Sequence, residues 1–66
     1  MQVVATLIAE ATSNTPRKVF EVREHPINRK FLVYDLGMSG FLFRSESLFR
    51  ALSHAAQLVN DTLEGK

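Results

Sequence analysis

Along the C-terminal third of the chain, Leu48, Leu52, Ala55, Val59 and Leu63 recur at steps of three and four, and Phe49 and Ala56 widen the stripe. Arg50, Ser53, His54, Gln57, Asn60, Asp61 and Glu64 take the remaining positions. A repeat near the helical period with one apolar face predicts an amphipathic helix over about 46–63. Ser45 is the expected N-cap, since its hydroxyl can accept from a free first-turn amide, and Glu46 suits the positive end of the helix dipole. Gly65 can adopt the left-handed conformation that stops a helix, and Lys66 complements its negative end.

Upstream the period falls to two. In KVFEVRE (18–24) Phe20 and Val22 share one face, and Val19, Glu21 and Arg23 the other, as in a half-buried strand. HPIN (25–28) supplies a turn, and RKFLVYDL (29–36) reads as a second strand that is apolar on both faces, with Phe31 and Val33 on one side and Leu32, Tyr34 and Leu36 on the other. LGMSG brackets another turn with glycines that tolerate positive φ, and a short third strand is expected at 41–43 with Phe41 and Phe43 inward. Residues 2–12, QVVATLIAEAT, satisfy both periods. Their alanines, Leu7 and Glu10 favour helix, whereas Val3, Val4, Thr6 and Ile8 favour strand, so the segment is read as a helix, the reading preferred, or a fourth strand. SNTP (13–16) is a turn by composition.

The expected fold is therefore α+β, one domain over 1–66: a three-stranded antiparallel meander (18–24, 29–36, 41–43) packed on a C-terminal helix. Phe20, Val22, Phe31, Val33, Phe41 and Phe43 would meet the helix. The other face, carrying Val19, Leu32, Tyr34, Leu36 and Leu42, would lack a cover unless the N-terminal segment, a second subunit or another partner supplied it.

Composition narrows the chemistry. With 66 residues the domain buries only about 60% of the surface of its unfolded chain, so outside contacts would add materially to its stability. There is no cysteine, which excludes disulfides and thiolate metal sites and fits a reducing, cytoplasmic setting. The apolar opening has no cationic residues before it and no long apolar core, so it is read as neither signal peptide nor membrane span.

Nothing in the chain composes a catalytic or cofactor site. His25 and His54 lie on different elements without a second ligand at metal-binding spacing, and are read as a turn residue and a solvated helix residue. Ser39 lacks the strand-turn-helix setting of a nucleophile, Asp61 and Glu64 sit on an exposed turn, and the three glycines form no phosphate loop. No enzyme activity, cofactor or metal is expected.

Net charge is only +1, but Arg17, Lys18, Arg23, Arg29, Lys30 and Arg44 fall in the middle of the chain, where a basic patch on the first hairpin would suit phosphates. Glu21 and Glu24 lie among them and would neutralise part of it. The leading expectation is a small non-catalytic interaction or regulatory protein, self-associating through Val19, Leu32, Tyr34, Leu36 and Leu42 on the uncovered sheet face together with the N-terminal segment. The alternative is a nucleic-acid-binding accessory module using the six cations.

Overall fold

The computed structural model describes residues 1–65 and has the α+β architecture expected, with four strands. Strands β1 (Gln2–Ala9), β2 (Lys18–Glu24), β3 (Phe31–Asp35) and β4 (Phe43–Ser45) form an antiparallel meander in the order β1-β2-β3-β4, and helix α1 (Leu48–Leu63) packs across it, touching every strand. Lys66, expected at the helix terminus, lies outside the described residues.

The N-terminal segment is a strand, against the preferred helical reading. Its partner decides this. β2 offers an open ladder, and the register Ala5↔Val22, Leu7↔Phe20 and Ala9↔Lys18 brings Ala5 and Leu7 to the core. A helix there would have left the backbone of β2 unpaired on one side. The register slips between Val3 and Ala5, a bulge near the start of β1.

Val22 pairs with Val33, and Val33 with Phe43, so these residues share the helix-facing side. Val22 and Val33 are fully buried beneath Ala51 and Ala55, with Ala5, Leu7, Phe31, Phe43, Leu52 and Leu58 around them. The helix thus approaches through two alanines, whose small side chains let its backbone come close to the sheet. The alanine line is centred about 70° around the helix from the stripe Leu48, Leu52, Val59 and Leu63.

Two boundaries differ from expectation. β4 begins two residues later than predicted, which leaves Phe41 half-exposed rather than inward. The glycine-bracketed turn accounts for the shift: Gly40 takes the positive φ, at 76°, and the chain joins the ladder only after it. Ser47 is the N-cap in place of Ser45. Its hydroxyl accepts from the Arg50 amide at 3.2 Å, while the Ser45 hydroxyl accepts from the Ser47 amide at 3.0 Å and steadies the entry. At the other end Gly65, with φ of 78°, closes the helix as expected.

The three connections carry their own hydrogen bonds. Thr12 Oγ1 accepts from the amides of Asn14 and Thr15 in the first turn. In the second, the His25 amide donates to the Lys30 carbonyl at 2.8 Å, with Arg29 in the left-handed region at φ 60°. In the third, Asp35 Oδ1 accepts from the Gly37 amide at 2.9 Å.

Candidate functional site

The far face of the sheet carries the residues expected to mediate association, but not as one open apolar patch. Register places Leu32 between Arg23 on β2 and Arg44 on β4, and Leu32 is buried, flanked by their aliphatic stems. Next to it the Arg23 guanidinium lies 4.1 Å from the centre of the Tyr34 ring, a cation–π contact, while Arg23 also donates to Glu21 Oε1 at 2.7 and 2.9 Å. Met1 Sδ is 3.5 Å from the Tyr34 hydroxyl. The chain therefore covers the middle of this face itself.

Open apolar surface lies at one end of that face. Ile8 pairs with Val19, the Leu36 amide donates to the Val19 carbonyl at 3.0 Å, and both Ile8 and Leu36 are exposed. Leu42 is exposed outside β4, its amide donating to the Val33 carbonyl. The structure thus brings Val19 and Leu36 together, shields Leu32 and half-buries Tyr34.

The six cations are mostly engaged. Arg17 pairs with Glu10 at 2.8 Å, Lys18 with Asp35 at 3.3 Å, Arg23 with Glu21 at 2.7 Å and Arg29 with Glu24 at 2.7 Å. Glu24 holds the Arg29 guanidinium above its ordinary pKa, chiefly through the side-chain hydrogen bond and then through charge attraction. Among the described residues, Lys30 and Arg44 have no ion pair. Within this basic stretch Arg23 turns along its own strand to Glu21, and Arg29 folds back to Glu24. Pairs at or near the surface add little to stability, but they lower the positive potential that would attract phosphates.

His54 is not a solvated helix residue. Its ring stacks on Phe43 with centroids 4.2 Å apart and planes 8° from parallel, closing the core at the β4 edge. Among the described residues no group of three potential metal ligands is present, and no helix is long and apolar enough to cross a membrane. A groove between the first and third turns is lined by Pro16, Arg17, Lys18, Leu36 and Met38 and is open to solvent.

Two surfaces take shape only in the structure. One is the outer edge of β1, whose residues QVVATLIA include neither charge nor proline. The other is the helix flank of Leu48, Leu52, Val59 and Leu63, of which Leu48 and Leu63 are exposed. The uncharged run was a legible signal for an edge, but only the sheet order shows that no strand lies outside it.

No family model, no curated protein and no solved structure matches the chain.

Proposed function

We propose that this protein is a small non-catalytic interaction module whose first partner is another copy of itself. The observation that carries the reading is the balance of apolar side chains. Seven apolar residues are buried, three of them alanines, against twelve large hydrophobic side chains left exposed among the described residues. Scattered surface leucines are ordinary, but here the large exposed side chains outnumber the buried ones, as in a domain whose core is completed by association. The pairing of Arg17, Lys18, Arg23 and Arg29 with carboxylates weighs against the phosphate-binding alternative.

Size-exclusion chromatography with light scattering across micromolar concentrations tests the reading. Self-association gives a mass near twice the 7.5 kDa of the chain, rising with concentration. A monomer throughout that range refutes it. A parallel titration with labelled duplex and single strands should show no salt-dependent binding.

A further inference from the structure

Building on the self-association reading, we infer that two copies join edge to edge through β1, forming one continuous eight-stranded sheet with the two α1 helices on the same face, one on either side of the seam. Two independent features converge on this edge. The first is the strand itself. β1 is the longest strand, lies at the edge of the sheet, and leaves a row of backbone groups without a strand partner among the described residues. Edge strands normally discourage pairing with charge, proline, brevity or distortion. β1 has no charge and no proline, and its bulge lies at Val4, leaving Ala5–Ala9 in regular register.

The second feature is the rotation of the helix. His54 stacks on Phe43 of β4, so that flank of α1 faces the β4 side. Leu48, Val59 and Leu63 lie on the opposite flank of the helix, with Leu48 and Leu63 exposed, while Leu52 between them packs against the core. A flank turned away from β4 lies on the side of the open edge. An antiparallel pairing of β1 with itself places the two-fold axis perpendicular to the sheet, which puts both helices on the same side and turns these flanks toward each other. A second copy is thus the occupant whose shape supplies both halves at once: a strand for the strand and an apolar flank for the flank.

Charge agrees with that occupant, and size makes the association a weak one. The self-paired stretch, residues 5–9, spans about 17 Å, and the edge of a sheet with its covering helix stands about 20 Å high, giving about 340 Å² per copy. Two such faces total about 700 Å², the size of a weak, concentration-dependent interface. Because β1 carries no charge, self-pairing sets no like charges opposite each other within the strand. Centring the regular segment on itself puts the axis near Leu7, with Thr6 opposite Ile8 of the partner subunit.

The chain has no cysteine, so introduced thiols report this geometry directly. Thr6→Cys, Ile8→Cys and the double variant are oxidised at low concentration and run on a non-reducing gel. Facing positions on paired strands lie within disulfide reach, and the double variant should give the most covalent dimer. Dominant cross-linking by one single variant moves the axis by one residue and still supports the seam. Light scattering on Thr6→Lys, Ile8→Lys and Leu48→Lys should show association weakened at least about tenfold with circular dichroism unchanged, while Leu36→Asp on the far face has little effect. A dimer that persists in the lysine variants, dissociates in Leu36→Asp and gives no cross-link overturns the β1 seam while leaving self-association standing. A wild-type monomer overturns both.

Discussion

Asp35 is the one buried charged side chain among the described residues, and its replacement separates two roles that its two oxygens play. Oδ1 accepts from the Gly37 amide at 2.9 Å and shapes the turn after β3, whereas Oδ2 meets Lys18 Nζ at 3.3 Å. The Asp35 side chain is 5% exposed and that of Lys18 44%, so the ammonium is well hydrated and the ion pair is screened. That pair should contribute under about 1 kcal/mol. The bond from the Gly37 amide to a buried carboxylate should contribute about 1.5–3 kcal/mol, because losing it leaves a turn amide short of an acceptor.

Asp35→Asn keeps an Oδ1 acceptor and gives up the charge, and Lys18 is free to swing into water, so its expected cost is about 1 kcal/mol. Asp35→Ala removes both interactions and should cost about 2–3 kcal/mol, a large share of the roughly 3–10 kcal/mol expected for a domain of this length. Urea denaturation followed by circular dichroism at one fixed protein concentration measures both, with the slope against urea unchanged. Equal losses in the two variants would show that the ion pair, not the turn bond, dominates. A loss below about 0.5 kcal/mol in Asp35→Ala would refute the structural role altogether.

Three further outcomes follow from the packing. Val33→Ala, at the centre of the sheet and fully buried, should cost about 2–3 kcal/mol from lost transfer energy plus a cavity, measured by the same denaturation. Ser47→Ala should cost about 1 kcal/mol and Ser45→Ala less, because Ser47 holds the N-cap; a reversed order would return the cap to Ser45. Leu32→Asp should unfold the monomer, since it puts a carboxylate at a buried position, whereas Leu36→Asp should leave the circular dichroism spectrum unchanged.

Much of the fold was legible because local periodicity and burial agree over most of the chain. Phe20, Val22, Phe31 and Val33 alternate as a half-buried sheet must, and the structure sets each on the expected face. Arg23 shows where such reasoning stopped. Its position on the outer side of β2 followed from alternation, but its contacts with Tyr34 and Glu21 depend on how a long side chain turns after the strands are placed.

The residues 2–12 mark the boundary between the two kinds of information. Their sequence is compatible with helix and with strand at nearly equal local cost, and the choice was made by a long-range partner, the free ladder of β2. In the C-terminal helix the sequence by itself determined that a helix forms and that Gly65 ends it, since both depend on neighbours within a few residues. Which stripe faces the core was decided only by the tertiary structure. Ala51 and Ala55 let the helix approach the sheet closely, so they are buried, and Leu48 and Leu63 of the more conspicuous apolar stripe are left exposed. Hydrophobic periodicity reports all the surface that avoids water, and only the packed sheet divides it between the core and the open flank of the helix.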